Sequence, residues 1–404
     1  MASRAVPMGS APQSTWGFIL QEMKPKGNLL TPFNIISIPI IVVGLVIMGI
    51  RFVEGLGSVT NLDQHFVWGI WKGFNVVTGV AFAGGAYVIT FAVYYVMNAE
   101  KYHAIVRLTV LNAFLSYSFY AGALMLELGR PWKIMNPMIG NDFGYNSVLF
   151  LVAWHFVLYM IAAFIEFSPA VAEWLGMRRL RKFLKALTIG AVIFGVTLSM
   201  LHQSGLGALF LMAKPKIHPL WYNEFIPILF FVSSVFAGLS MIIVQATICP
   251  RIFKDAMDAE HRGSFEAMIF GLAKGAAIAM FVYYFFQSTL FIHERHWDLM
   301  GDFWGNWYLL EVLGLVLVPC FMFAYGVRHQ SLGIVRTAAV LTLLGVLLNR
   351  LNVSVIAYNW FSTDHYFPTW QEMVVAVTVV LAQIWIFRWA ILRMPVLRKA
   401  PNFG

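Results

Sequence analysis

The sequence predicts an all-α, polytopic membrane protein of about ten transmembrane helices. Three observations carry that prediction. Hydrophobic residues make up 60% of the 404 residues and charged ones 12%, about half the charged share of an ordinary soluble domain, and the mean hydropathy is +0.73. Apolar stretches of about 20 residues, each enough to cross a bilayer core, recur along the whole chain. Lys and Arg gather between alternate stretches instead of spreading evenly.

The spans fall at 31–52, 68–97, 104–128, 147–167, 184–211, 222–248, 267–292, 306–327, 332–356 and 371–394. The first follows a polar, mixed N-terminal segment (1–30) that has no cleavable signal pattern. The second is rich in small residues, Gly79, Ala83, Gly84, Gly85 and Ala86, which let it pack closely on a neighbour. Spans two to five (68–211) hold the most polar residues and read as a first four-helix bundle. Spans six to nine (222–356) read as a second, with no convincing internal repeat. The first and tenth spans flank them, and a short tail (395–404) closes the chain.

With an even number of spans both termini share a side, and that side receives most of the 28 Lys and Arg, including Arg178, Arg179, Arg181, Lys182, Lys185, Arg393, Arg398 and Lys399. By the positive-inside rule both termini are therefore cytoplasmic. The net charge of +9 is largely this topology signal. Because the positive residues are split among short loops, a nucleic-acid partner is not indicated. The two cysteines, Cys249 and Cys320, are far apart and form no CxxC, so no iron–sulfur cluster or structural zinc is built from them. Outward loops carry Pro131, Trp132, Pro137, Pro215, His218, Pro219, Trp221, Trp360, Phe367, Pro368 and Trp370. They read either as ordered caps that dock a partner or as an interfacial aromatic belt.

Polar groups inside the spans are costly and therefore candidates for function. In the second span Trp68, Lys72, Asn75 and Gly79 share a helical face by their spacing, with Asn75 about 10 Å below the outer end. Lys72 could instead snorkel to headgroups, and Asn75 could serve an interhelical hydrogen bond. Ser116, Tyr120 and Glu127 share a face of the third span. Glu127 reads as a boundary carboxylate that accepts protons, or as a local partner of Arg130. In the fourth span His155, Tyr159 and Glu166 form a one-face ladder of protonatable groups running inward. In the fifth, His202 with Ser204 beside it lies at a depth similar to His155, roughly 10–15 Å from the outer face. Two such histidines could ligate haem, donate to a quinone carbonyl or pair structurally; haem is disfavoured by the lack of a second pair. Glu311 and Arg350 read as a structural ion pair. The segment His293-Glu294-Arg295-His296 reads as a solvated loop.

Several motifs together resemble the NrfD/PsrC-like family of membrane subunits, in its ten-span branch with HybB-, QrcD- and HmcC-type subunits. They are Gly55-Leu56-Gly57-Ser58-Val59, Trp68-Gly69-Ile70-Trp71, Gly129-Arg130-Pro131-Trp132, His202-Gln203-Ser204-Gly205-Leu206-Gly207, His218-Pro219-Leu220-Trp221 and Tyr366-Phe367-Pro368-Thr369-Trp370. In the wider family an aspartate often precedes Gly-Arg-Pro; here Glu127 stands one residue further upstream, separated by Leu128.

The resemblance implies a multi-pass protein of the bacterial inner membrane, without haem or an iron–sulfur cluster of its own, that exchanges electrons with menaquinone. Its partner would be a periplasmic iron–sulfur protein, joined to a further catalytic subunit of the multihaem cytochrome, hydrogenase or molybdopterin type. The quinone pocket would lie in the first bundle near the periplasm, formed by Trp68, Trp71, Lys72, Asn75, Arg130, Trp132 and Ser204, with Glu127, His155 and His202 as catalytic groups. Protons supplied by Glu127 from outside would make turnover electroneutral. Protons supplied through Glu166, Tyr159 and His155 from inside would build a membrane potential. The rival readings are a b-type cytochrome subunit, a secondary transporter or channel, and a structural anchor.

Overall fold

The computed structural model describes residues 15–26, 28–91, 103–140 and 144–398. Among the described residues it is helical and carries no strand beyond an isolated antiparallel bridge between Ile217 and Tyr358. Among the described residues nine helices are long and apolar enough to cross a membrane: Pro32–Glu54, Ile105–Glu127, Val148–Trp174, Arg178–Leu211, Ile226–Ile252, Phe265–His293, Phe303–Arg328, Leu332–Ile356 and Trp370–Arg393. They match nine of the ten expected spans to within a few residues. The remaining one, the second, is helical from a π-helical segment Trp71–Gly79 through Val80–Phe91. Its expected inner end (92–97), the side chains of Gly85 and Ala86, residues 1–14 and the tail beyond 398 lie outside the described residues.

Local chemistry sets the starts of several spans. Thr31 accepts from the Asn34 amide ahead of Pro32, and Ser147 accepts from the Leu149 amide. Thr369 and Glu372 close a capping box at the tenth span, satisfying amides that would otherwise have no partner. Both described chain ends lie on one face, here called the terminal face: Arg393 donates to the carbonyls of Glu22 (2.6 Å) and Lys24 (2.7 Å). On that face Glu173 takes Arg107 at 2.7 Å and Arg181 at 2.6 Å, fastening the terminal-face ends of the third, fourth and fifth spans together. The opposite, distal face carries the loops that follow the odd-numbered spans, including 212–225 and 357–369.

The third and sixth spans are the centre of the bundle. In their apolar windows 67% of residues are buried, against 22% in the first and fourth. Outward positions such as Ile35, Leu149, Ile161, Ile189, Phe281 and Phe321 are exposed and apolar, as a lipid-facing surface requires. The second span crosses against the third, fifth and sixth, and the first packs on the tenth. Where the second and fifth spans cross, a Cβ at Gly195 would stand 2.6 Å from the Tyr87 ring, so only glycine gives that ring its place. Cys249 and Cys320 are both buried and unpaired, as packing residues.

Among the described residues four segments follow the wider π pattern: Trp71–Gly79, Tyr117–Ala121, Leu310–Leu317 and Asn352–Ile356. Such turns are rare and recur at functional sites. Here each adjoins a buried polar cluster.

Candidate functional site

The first cluster lies where the second, third, fourth and fifth spans approach one another in the distal half. Glu127, at the end of the third span, is 3% exposed. Its Oε1 is 3.3 Å from Lys72 Nζ and accepts from the Gly69 amide at 3.1 Å, while Oε2 has no hydrogen-bond partner. Glu127 thus pairs with Lys72 and not with Arg130. Lys72 does not snorkel freely: its ammonium also donates to the Val67 carbonyl (3.0 Å) and lies 5.9 Å from the Trp68 ring. Arg51 donates to the carbonyls of Leu126 and Leu128, holding the end of the third span in place.

The amides that open the second span are gripped from three sides. Gly69 donates to Glu127, and Ile70 donates to the Tyr366 hydroxyl at 3.1 Å. The Trp71 indole donates to the Glu372 carbonyl at 2.7 Å. The Tyr366 hydroxyl in turn donates to the Glu372 carboxylate. Trp71 is therefore a tie to the tenth span, while Trp68 packs on Phe210 at 4.6 Å.

One helical turn further in, Asn75 is fully buried and neither its amide nitrogen nor its oxygen has a hydrogen-bond partner. His202, also buried, has neither ring nitrogen in a formed hydrogen bond; its ring only approaches the Val152 backbone. Tyr117 lies 5.4 Å and Phe156 6.2 Å from the His202 ring. Buried polar groups nearly always find partners, and leaving one unmade costs about 1–3 kcal/mol. A concentration of unmet groups therefore marks a place where something else completes them.

The expected residues are only partly assembled. Glu127, Asn75, His202, Tyr159 and Glu166 are buried among spans two to five, and Lys72 and Ser204 are half-buried. His155 is half-exposed, with a buried Nδ1 that has no hydrogen bond. Ser116 accepts from Gln383 at 3.0 Å, and Tyr120 lies against Gly79. Arg130 is exposed, and Trp132, at 76% exposure, stands on the distal surface; neither joins the buried cluster.

Three groups escaped sequence reasoning. Tyr87, Tyr117 and Gln203 are buried, and each keeps a polar atom without a hydrogen bond. Gln203 Nε2 donates to the Val80 carbonyl (3.1 Å), at the junction of the π and α segments. Its place inside the His202-Gln203-Ser204 motif was a usable signal. The tyrosines look like core aromatics in an apolar stretch.

The second cluster, between the sixth, eighth and ninth spans, is built differently. Glu311 accepts from Trp221 Nε1 (2.8 Å), Asn349 Nδ2 (2.7 Å) and Asn352 Nδ2. Arg350, fully buried, donates to Asn349 Oδ1 (2.8 Å), Ser233 Oγ (2.7 Å) and the Phe230 carbonyl (3.1 Å). The expected Glu311–Arg350 ion pair is not direct, because the Asn349 amide is inserted between them. Both oxygens of this carboxylate are engaged, which suits a brace.

The distal cap is ordered. His218 sits among Trp360, Trp304 and Trp221 at ring distances of 4.6, 5.2 and 5.6 Å, and its Nδ1 accepts from the Leu220 amide. Burial pushes the His218 imidazole down to about 4, with Asp302 opposing and His296 adding to the shift. In the 293–296 segment His293 and Arg295 are exposed, and His296 meets Glu294 at 3.1 Å. Among the described residues no group of three His, Cys, Asp or Glu is placed to hold a metal ion.

Known proteins with similar sequences bear on this arrangement. The family described as "Polysulphide reductase, NrfD" matches residues 58–362. A protein of Nitratidesulfovibrio vulgaris (Hildenborough) is 40% identical over 95% of this chain and 99% of its own length. The "Probable Ni/Fe-hydrogenase 2 b-type cytochrome subunit" of Escherichia coli K12 is 28% identical, over 92% of this chain and 94% of its own. The "Menaquinone reductase, integral membrane subunit" of N. vulgaris is 26% identical, over 81% and 82%.

Proposed function

Because the chain belongs to the polysulphide reductase NrfD family, we propose that it is the quinone-interacting integral membrane subunit of a respiratory oxidoreductase complex, passing electrons between a partner iron–sulfur protein and menaquinone. One observation carries this reading: Asn75, His202 and Glu127 Oε2 all keep unmet hydrogen-bonding capacity on spans two, five and three, which pack in one bundle. A quinone offers two carbonyl oxygens that need donors. The Asn75 amide and a neutral His202 imidazole, which carries one N–H, can supply them. Reduction to quinol also requires two protons per two electrons, and Glu127, beside Lys72 and near the distal surface, is the group to deliver one from that side. The name of the N. vulgaris relative supports menaquinone as the quinone.

The Glu311 carboxylate, both of whose oxygens already accept hydrogen bonds, supports assigning the chemistry to the first cluster. The distal face is the periplasmic face of the bacterial inner membrane, by the Lys/Arg distribution. Its exposed Trp132, Phe367 and Trp370 suit docking of the iron–sulfur partner, which would connect to a further catalytic subunit of the hydrogenase, multihaem cytochrome or molybdopterin type.

The test is menaquinone binding to the purified full chain, followed by fluorescence quenching with a menaquinone-site inhibitor, in wild type and His202→Ala, with an absorption spectrum of each. Saturable binding that the substitution abolishes is expected. No binding to wild type overturns the proposal, and a Soret band would make the chain a b-type cytochrome instead.

A further inference from the structure

Four aromatic rings run without interruption from the site toward the terminal half. Tyr117 lies 5.4 Å from His202, Tyr159 3.9 Å from Tyr117, and Tyr87 4.6 Å from Tyr159. The rings come from different spans: Tyr87 from the second, Tyr117 from the third, Tyr159 from the fourth and His202 from the fifth. All three tyrosines are nearly or fully buried, and none of their hydroxyls completes a hydrogen bond. The side-chain oxygen of Gln203, also without a partner, faces the same place, and the Tyr117 hydroxyl approaches both Gln203 and Ser199. Glu166, two helical turns (about 10 Å) further toward the terminal face, is close enough to Tyr159 to interact with it electrostatically.

A core tyrosine whose hydroxyl has no protein partner needs water. One would be unremarkable packing; three in contact, ending at a histidine with two unengaged nitrogens, form a line. Close packing is not what places them, because phenylalanine would fill the same volume without the unmet hydroxyl. Gly195 on the fifth span leaves the space that the Tyr87 ring occupies.

We propose that Tyr87, Tyr117 and Tyr159, with Gln203 and intervening water, form a proton relay joining Glu166 to His202. This deepens the quinone reading and rests on it. Each hydroxyl takes a proton on its oxygen and releases its own to the next oxygen, so no group changes net charge after a transfer. For each quinone reduced to quinol, the partner iron–sulfur protein supplies two electrons, one proton reaches a quinone oxygen by way of His202, and the other comes from Glu127 on the distal side. The relay turns from the fourth span to the third at Tyr159 and passes through Tyr117. The one-face ladder expected from the fourth span alone would have continued to His155.

The test uses the complex isolated with its own partners and reconstituted into liposomes. Quinone turnover, the membrane potential formed per turnover, and menaquinone affinity are measured for wild type, Tyr117→Phe, Tyr159→Phe and Gln203→Met. With affinity kept within twofold, the relay predicts for Tyr117→Phe either at least a tenfold fall in turnover or loss of potential at retained turnover. Wild-type turnover and potential in both phenylalanine variants overturn it. Loss of affinity in Tyr117→Phe also overturns it, since the residue would then be a binding group. Should either tyrosine variant fail to assemble, the other and Gln203→Met carry the same comparison. Failure of wild type to bind menaquinone would instead sink the quinone reading itself.

Discussion

Lys72 Nζ stands 3.3 Å from Glu127 Oε1, while the other oxygen of the same carboxylate has no hydrogen-bond partner. The contact joins the second span to the third just inside the distal surface. Half of the carboxylate is held and half is available, so its position is fixed without its chemistry being used up. Glu372, at the start of the tenth span, is the opposite case: both of its oxygens accept, from Tyr366 and from the Thr369 amide.

Glu127→Gln keeps the shape and the contact with the Gly69 amide but removes the proton-carrying group. Quinone turnover by the complex is expected to fall by about a hundredfold or more, with menaquinone affinity little changed. Steady-state kinetics with a quinol analogue checks this, and wild-type turnover would remove Glu127 from the proton path.

Asn349→Leu strips one donor from Glu311 and one acceptor from Arg350 at once. Leaving two buried charged groups short of partners should lower the stability of the purified protein by about 3 kcal/mol, read as a lower thermal midpoint in detergent. Because the second cluster braces the helices, turnover of the protein that remains folded should stay close to wild type. An unchanged midpoint would show that the inserted amide is not what holds Glu311 and Arg350.

His218 gives the distal cap a pH dependence with a defined sign. Its folded value is pushed down to about 4 by burial, below the ordinary value near 6.5. Between those values the unfolded chain binds the proton and the folded one does not, so stability falls as pH drops from about 6.5 toward 4 and levels off below. Thermal midpoints measured at pH 7.5 and 4.5 should drop further in wild type than in His218→Gln. An equal drop in both would place the acid sensitivity elsewhere.

Much of the architecture was legible because apolar length and Lys/Arg asymmetry are set by the bilayer itself. The polar residues were legible as a set but less so in their pairings. Lys72 and Asn75 were assigned one α-helical face, yet they lie in a π segment, where hydrogen bonds run from i to i+5 and the angular step between residues changes. Lys72 meets Glu127 there, while Asn75 is left without a partner. Nothing in a 3.6-residue period announces such a segment. Arg130 was a reasonable partner for Glu127 by proximity in sequence, but the chain turns after Leu128 and carries it to the surface. Tyr117 could not be told from a packing aromatic until the structure left its hydroxyl unbonded. Arg350 and Glu311 were rightly brought together, but no spacing rule predicts that an asparagine side chain will stand between them.

The π segment Trp71–Gly79 has a consequence for how this chain can change over generations. Deleting one residue between Lys72 and Gly79 would turn everything beyond it by about 100° and draw it back by about 1.5 Å. Tyr87 would then leave the niche opposite Gly195, while Lys72 stayed beside Glu127. Among the described residues of this span none is exposed, so single substitutions meet its neighbours. A change in its length could persist only with a matching change at the other end of the segment, which makes residue count, more than residue identity, the heritable quantity under tightest constraint.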